Sequence, residues 1–209
     1  AFDRDLLIIP NVAIHMNRSI NDGFAFNKQV DMLPLFSAGE CGEDSYRELI
    51  AQELGVDPQS ILGMDMYLYN RTAPSIWGAK EEFISSPKLD DLQCACTSLK
   101  AMIQAENDRC VTVYACFDNE EVGSGTKQGA CSTFLRDVLQ RINDGLGFDG
   151  EDYRRAVAGS FMVSCDNAHA VHPNHPEKTD AENCTWMNKG VVVKFSANQK
   201  YTTDGISSA

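Results

Sequence analysis

The chain has 209 residues, a length for one domain or two small ones, and 43% of them are hydrophobic and 23% charged. Its 30 acidic and 18 basic side chains give a formal charge of -12. This charge argues against non-specific nucleic-acid binding and against adhesion to an anionic membrane. No apolar run approaches the roughly 20 residues that a spanning helix requires. A chain this long can bury a hydrophobic core without a disulfide scaffold.

The eight cysteines favour reduced thiols over disulfides. Their sequence contains no CxxC pair, so neither a zinc ribbon nor a thioredoxin-type redox motif is supported. Cys94, Cys96, Cys110, Cys116 and Cys165 lie within apolar or helical patterns, which predicts small buried side chains. We therefore expect an intracellular, cytoplasmic protein.

The first 83 residues predict short strands and turns with one helix. Residues 6–14 resemble a strand interrupted by Pro10, and residues 61–69 alternate as a strand does. Residues 44–54 predict a helix, because their apolar side chains fall on one face, and Gly55 should end it.

From residue 85 onward, strands and helices alternate. Ser86-Pro87 signals a helix start, and an apolar stripe at helical spacing follows it. A second helix is predicted over residues 132–142. The predicted strands cover residues 111–117, 157–163 and 191–195. Alternating strands and helices indicate an α/β sheet.

Acidic residues follow two of these strands. Glu120 and Glu121 come directly after residues 111–117, and Asp166 follows residues 157–163. Ligand sites in open α/β sheets lie beyond the carboxyl ends of strands, so these carboxylates are expected to converge, and Asp90-Asp91 at a helix start could join them. Converging carboxylates repel one another unless a cation lies among them, which favours a divalent metal such as zinc or manganese.

Other interpretations of these residues stay open. A Glu-Glu pair alone is typical of a solvated turn, although its place after an apolar strand and before Gly-Ser-Gly favours a site. Adjacent glutamates point in different directions in extended backbone, so one could bind metal while the other takes a proton. Loop histidines are often merely exposed, and a strand lysine such as Lys194 is more often a surface residue.

Five stretches together resemble the aspartyl aminopeptidases, a family of dinuclear zinc exopeptidases. They run in the family's order across almost the whole chain, and the last two are specific to it. The stretches are IPNVAIH (9–15), SPKLDDL (86–92), FDNEEVGS (117–124), SCDNAHAVHPN (164–174) and the tail 194–201. Family members often have Arg where Lys88 stands and Asn where Asp91 stands; the extra charge at Asp91 could alter the surroundings of a metal ligand.

The resemblance implies metal ligands and a general base. Asp90 corresponds to the carboxylate that bridges two zinc ions, while Glu121 and Asp166 each correspond to a ligand of one ion. Glu120 corresponds to the general base that deprotonates the metal-bound water. Manganese and cobalt are alternative metals.

The resemblance also implies a substrate pocket that recognises peptides with an acidic N-terminal residue. Lys194 corresponds to the group that reads the Asp or Glu side chain, and Tyr201 to its neighbour in that pocket. His169 and His172 correspond to the wall near the substrate. His15 corresponds to the histidine that one subunit offers to its partner's active site, where it stabilises the tetrahedral intermediate.

The fold implied is α/β, a mixed sheet of the zinc-aminopeptidase type with helices on its faces, plus an inserted, mainly β dimerisation domain. Residues 1–83 match that inserted domain, through which we expect self-association, and residues 84–209 match the central part of the catalytic domain. The family's upstream and downstream segments, each with a histidine ligand, have no counterpart among these residues. We therefore expect this chain alone to bind zinc weakly and to hydrolyse nothing.

Two other functions remain as alternatives. The chain could be a non-catalytic dimerisation or assembly module built on the same scaffold. It could also belong to another peptidase or deacylase of the same dinuclear α/β superfamily, although Lys194 favours acidic specificity.

Overall fold

The computed structural model describes residues 1–195 and residue 207. It divides the chain into two compact units, Ala1–Pro74 and Ser75–Ala209. Helices and a small sheet are both present, as expected of a mixed α/β chain. Of the helices in the described part, none has the length and apolar character needed to cross a bilayer.

The first unit contains the helix α1, Ser45–Leu54, which confirms the helix predicted over residues 44–54. Gly55 ends it as predicted, with a left-handed backbone (φ 67°). The amide of Val56 donates to the Ala51 carbonyl at 3.0 Å, which closes the last turn. A 3₁₀ turn, Pro58–Ser60, follows. Ile50 and Ala51 of α1 are the only buried hydrophobic residues in the described part of the chain, so the expected larger core is not found there.

The strands predicted in the first unit are wrong. Residues 6–14 form only one antiparallel bridge, in which Ile8 and Leu35 exchange backbone hydrogen bonds at 3.3 and 2.7 Å. Pro10 has no amide hydrogen to extend this pairing. Residues 61–69 form no strand. In this part of the unit, Arg71 instead forms ion pairs with Asp3 at 3.2 Å and with Asp5 at 3.3 Å.

The second unit begins with a hairpin of two antiparallel strands, β1 (Ser75–Trp77) and β2 (Phe83–Ser85), in which Ile76 lies opposite Ile84. The rings of Trp77 and Phe83 stack at 4.6 Å. Trp77 Nε1 also donates to Ser85 Oγ at 2.7 Å. These cross-strand contacts stabilise a pair of strands that is otherwise too short to persist.

Three helices follow: α2 (Leu89–Gln104), α3 (Phe134–Gly145) and α4 (Gly150–Ala158). The first two confirm predicted helices. The third was not predicted; it begins with a capping box in which Asp149 accepts from the Asp152 amide and Asp152 accepts from the Asp149 amide. A second 3₁₀ turn covers Pro176–Lys178.

The remaining predicted strands are also wrong. The two-stranded hairpin is the only sheet in the described residues, and residues 111–117, 159–163 and 191–195 lie outside it. Val157 and Ala158 are instead the last residues of α4, the helix that begins at the capping box. Apolar, β-branched runs favour a strand, but a strand forms only when a neighbouring strand supplies its hydrogen bonds.

The predicted burial of the cysteines is wrong as well. All eight thiols are unpaired, and all except the half-buried Cys94 are exposed. The apolar runs that predicted burial at Cys110, Cys116 and Cys165 pack against too little of the described chain to cover them.

Candidate metal centre

Three aspartates meet in the second unit. Asp90, Asp91 and Asp166 each offer one carboxylate oxygen, and these three oxygens all lie within 4.8 Å of one another. This acidic cluster is the only group of three or more His, Cys, Asp or Glu side chains so placed in the described residues. It joins two of the acidic segments that the sequence was expected to bring together.

The start of α2 shapes one side of the acidic cluster. Lys88 has a left-handed backbone (φ 60°), and Asp90 and Asp91 depart from helical geometry although they lie in the first turn. The peptide bond between the two aspartates is cis. Asp91 Oδ1 is buried and has no hydrogen-bond partner among the described residues. An unpartnered buried carboxylate oxygen is costly, and a cation relieves that cost.

The segment after residue 163 supplies the other side. Asn167, which follows Asp166, donates from Nδ2 to the carbonyl of Leu89 at 2.8 Å and accepts at Oδ1 from Cys94 Sγ at 3.2 Å. Burial raises the pKa of the Cys94 thiol to about 11, and the Asp91 carboxylate adds to that shift. The thiol therefore stays protonated at neutral pH, with the Asn167 amide oxygen and the Asp91 carboxylate as its neighbouring acceptors.

Lys194 lies beside the acidic cluster. Its Nζ is 3.8 Å from Asp166 Oδ2, and both side chains are about half exposed. A pair in such contact with water contributes only about 0.2–1 kcal/mol to stability. Its importance is positional, because it places a positive group next to a carboxylate of the cluster.

Glu120 and Glu121 lie in a separate loop and are not members of the acidic cluster. We call residues 118–131 the Glu loop. The amide of Gly123 donates to the Glu120 carbonyl at 2.9 Å, and Cys131 donates to Ser124 at 3.0 Å. Both glutamates are exposed. Neither glutamate joins the three aspartates within 4.8 Å, and the predicted convergence of Glu120 and Glu121 with Asp166 stays a prediction.

The predicted histidines lie in three different settings. His15 is exposed in a turn of the first unit. In the second unit, the carbonyl of His169 accepts from the Thr185 hydroxyl. His172 Nδ1 accepts from the Asn174 amide at 3.2 Å, and its ring lies 5.3 Å from that of His175. Tyr201, the predicted neighbour of Lys194, lies outside the described residues.

Sequence reasoning placed Asp91 near the site but missed Asn167. The pair Asp90-Asp91 was expected to join the carboxylates that follow the strands, and Asp91 belongs to the acidic cluster. Asn167 received no role at all, although it ties together the residues next to Asp90 and Asp166. Its position beside Asp166 was visible in the sequence, but a contact across 78 residues was not.

The donor set suits a divalent cation. Carboxylate oxygens are favoured by manganese and are also ligands of zinc, which in catalytic sites keeps three protein ligands and an open position. The acidic cluster offers three carboxylate oxygens, one of which is the unpartnered Asp91 Oδ1. Without a cation the three negative charges repel one another.

Known sequences resemble the chain along its whole length. The profile described as "Aminopeptidase I zinc metalloprotease (M18)" matches residues 1–209. The chain is 48% identical over 209 residues to "Probable M18 family aminopeptidase 2" of Clostridium acetobutylicum, covering 99% of this chain and 48% of that relative. It is 37% identical over 227 residues to "Aspartyl aminopeptidase 1" of Schizosaccharomyces pombe, covering 97% of this chain and 48% of that relative.

A solved structure agrees with these sequences. A chain in "Cryo-EM structure of the Ape4 and Nbr1 complex" matches with a TM-score of 0.84 and 36% identity, covering 97% of this chain and 43% of that chain. The present chain thus spans about half the length of the curated relatives it matches.

Proposed function

Because the chain belongs to the M18 family of zinc aminopeptidases, we propose that it is part of a metal-dependent aminopeptidase that releases Asp or Glu from the N-terminus of peptides. The observation that carries the proposal is the meeting of Asp90, Asp91 and Asp166. Three carboxylates drawn from two distant segments, one with an unpartnered buried oxygen, supply oxygen ligands for part of such a metal site.

We propose that the site holds two zinc ions, with manganese or cobalt as alternatives. Asp90 would be shared between the ions, Asp166 would bind one and Glu121 the other. When bound, zinc polarises the scissile carbonyl and makes a water molecule more acidic. The position of Asp90 and Asp166 in the acidic cluster supports their part of this assignment; the part of Glu121 rests on its motif, since the Glu loop lies apart from the cluster.

Glu120 is proposed as the general base that takes a proton from the attacking water. It must lie within hydrogen-bond reach of the water when substrate binds.

Lys194 is proposed to read the acidic side chain of the substrate, with Tyr201 beside it and His169 and His172 in the nearby wall. Its ammonium group lies at the edge of the acidic cluster, 3.8 Å from Asp166 Oδ2. A substrate carboxylate arriving there would gain a charge-assisted hydrogen bond. The relative from Schizosaccharomyces pombe is named an aspartyl aminopeptidase, which agrees with acidic specificity.

Self-association through residues 1–83 is proposed to bring His15 to a partner's site. Large apolar side chains of this region are exposed, among them Ile8, Val12 and Met16, and apolar surface of this kind favours burial between subunits. Mixing subunits that carry His15→Ala with subunits that carry Glu120→Gln should restore part of the activity that each variant loses alone. No restoration in the mixed oligomers would contradict a shared site.

The 209 residues alone are proposed to hold zinc weakly and to be inactive, because the family's two histidine ligands have no counterpart among them. A reducing, cytoplasmic location is proposed too, in keeping with eight unpaired thiols. Such thiols do not persist in oxidising compartments.

The test compares two proteins. One is the 209-residue chain; the other, called the completed chain, carries these residues in place of the matching segment of the Clostridium acetobutylicum relative. Titration calorimetry with zinc and hydrolysis of Asp-, Glu- and Leu-anilide substrates are measured on both. We expect tight zinc binding and cleavage of the acidic substrates by the completed chain only. A completed chain that binds zinc but prefers the Leu substrate would refute the acidic specificity.

A non-catalytic assembly module is the second candidate, and one observation favours it. Glu120 and Glu121 lie in a loop that is closed on itself and separate from the acidic cluster. If the completed chain associates but neither binds zinc nor cleaves any substrate, this alternative is correct. Activity on non-acidic or acylated substrates alone would instead favour another peptidase or deacylase of the superfamily.

A further inference from the structure

Asn167 connects the two segments that build the acidic cluster. Its Nδ2 donates to the Leu89 carbonyl at 2.8 Å, across 78 residues of sequence. Leu89 directly precedes Asp90, and Asn167 directly follows Asp166. The hydrogen bond therefore joins the immediate neighbours of two proposed metal ligands.

A second contact fixes which way the Asn167 amide faces. Cys94 Sγ lies 3.2 Å from Asn167 Oδ1, and a carbonyl oxygen cannot donate, so the thiol is the donor. With Oδ1 occupied in this way, Nδ2 is left facing the Leu89 carbonyl. The side chain lies in a partly buried position, where hydrogen bonds compete less with water.

The irregular start of α2 makes this contact structurally important. Its first turn departs from helical geometry at Asp90 and Asp91, and so lacks part of the hydrogen-bond ladder that holds a regular helix. The bond from Asn167 attaches this irregular turn to the opposing segment. Three like charges within 4.8 Å push the two segments apart when no cation is bound, and a hydrogen bond between their neighbours opposes that separation.

We infer that Asn167 is a positioning residue, which holds Asp166 against Asp90 and so preorganises the acidic cluster for a divalent metal. The inference rests on the proposed metal site and adds to it a residue outside the proposed set of ligands. Direct hydrogen-bond partners of metal ligands typically change metal affinity or activity by about 10–100-fold when removed. Asn167 acts on the neighbours of the ligands, so an effect at the lower end of that range is expected. Cys94 orients the Asn167 amide and also interacts with Asp91.

The experiment measures zinc affinity of the completed chain by titration calorimetry with zinc chloride alone. We expect Asn167→Ala to weaken zinc binding by about 10-fold, the lower end of the range for direct partners of ligands, and Cys94→Ala to weaken it less. Binding by the double variant equal to that of Asn167→Ala shows that the thiol acts through the amide, and weaker binding shows a separate contribution through Asp91. Asn174→Ala is the matched control: it lies in the same segment, where its backbone amide rather than its side chain contacts His172, and it should bind zinc as the unchanged protein does.

A second measurement separates positioning from general damage to the fold. Cobalt-loaded protein reports ligand geometry through its visible absorption, so Asn167→Ala should change that spectrum while the far-ultraviolet circular dichroism stays the same. Unchanged zinc affinity and an unchanged cobalt spectrum in Asn167→Ala would overturn the role of Asn167 alone. Failure of the unmodified completed chain to bind zinc would overturn the proposed function and this inference together.

Discussion

The acidic cluster and the Glu loop both carry carboxylates proposed to act in one reaction, yet the chain builds them in different ways. The cluster depends on a hydrogen bond between Leu89 and Asn167, 78 residues apart. The Glu loop depends on contacts across about ten residues or fewer, such as Asp118 to Gln128 at 3.1 Å and Cys131 to Ser124 at 3.0 Å. One site is made by distant segments, and the other by its own sequence.

This difference assigns separate tasks to the two regions. A group of ligands gathered from distant segments is sensitive to anything that loosens their packing, so its variants should change metal affinity. A locally closed loop keeps its shape when distant contacts fail, so its variants should change the chemical step instead. Effects on metal binding and on turnover should therefore separate cleanly between the regions.

Glu120→Gln should give the largest effect. Removing the proposed general base should lower kcat of the completed chain by about 10²–10⁴-fold, the usual contribution of such a group. Zinc affinity should stay unchanged, because Glu120 is not a member of the acidic cluster. Steady-state kinetics and zinc calorimetry measure the two quantities. Glu106→Gln, an exposed carboxylate just beyond α2, is the control. If zinc affinity fell as much as kcat, the proposed separation between metal binding by the acidic cluster and the chemical step at the Glu loop would be wrong.

Gly129→Ala should come next, because it changes the Glu loop without touching a carboxylate. A Cβ at the buried Gly129 would lie 2.2 Å from the Ser124 carbonyl oxygen, so the backbone must move. Displacing a catalytic group by about 1 Å costs on the order of 100-fold in rate. We expect that loss in kcat at unchanged zinc affinity. Gly125→Ala is the control in the same loop, where a Cβ meets nothing within 4 Å. Equal rates for the two variants would count against a role for the loop's shape.

Lys194→Ala should give a smaller and selective effect at the edge of the acidic cluster. Hydrogen bonds to charged groups contribute about 1.5–3 kcal/mol, so kcat/KM for Asp and Glu substrates should fall roughly 10–100-fold while a Leu substrate is little affected. Lys189→Ala, another exposed lysine, is the control. An equal fall for all three substrates would show that Lys194 supports the cluster through Asp166 rather than reading the substrate.

The sequence predicted those features whose signals are local. The apolar face and Gly55 located α1, and the apolar stripe located α2. The segments that carry Asp90 and Asp166 were also expected to meet, and they do. Each of these signals lies within a few turns of chain or in one short motif.

Features that depend on contacts between distant residues could not be predicted from the sequence. Residues 111–117 have the composition of a strand, but strand formation requires a neighbour that composition does not identify. Asn167 bonds to Leu89 through contacts that no periodicity reveals. The α4 helix differs, because its capping box at Asp149 is a local signal, whereas the apolar residues from Val157 onward favour a strand.

Removing the cap of α4 should give the smallest effect. It tests an element that is held by contacts between residues close in sequence. The Asp149 carboxylate accepts from the backbone amides of Asp152 and Glu151, at 3.0 and 2.8 Å, and these bonds lower its pKa. A carboxyl whose pKa is lower in the folded state stabilises the fold above its unfolded pKa of about 3.9. That stabilisation is lost as the pH falls through the lower folded value. Asp149→Ala should therefore lower the melting temperature at pH 6, and the deficit should shrink toward pH 3.

Asp149→Asn is the matched variant, because it keeps an oxygen that caps the helix but cannot be protonated in this range. It should melt close to the unchanged chain at pH 6 and keep the contribution of its cap as the pH falls, while the contribution of the aspartate decreases. Thermal unfolding followed at 222 nm across this pH range measures all three proteins. If the deficit of Asp149→Ala does not depend on pH, the carboxylate is not the cap acceptor. Zinc affinity should be the same in the unchanged completed chain and in completed chains with Asp149→Ala or Asp149→Asn. The cap is formed by neighbouring residues that do not belong to the acidic cluster.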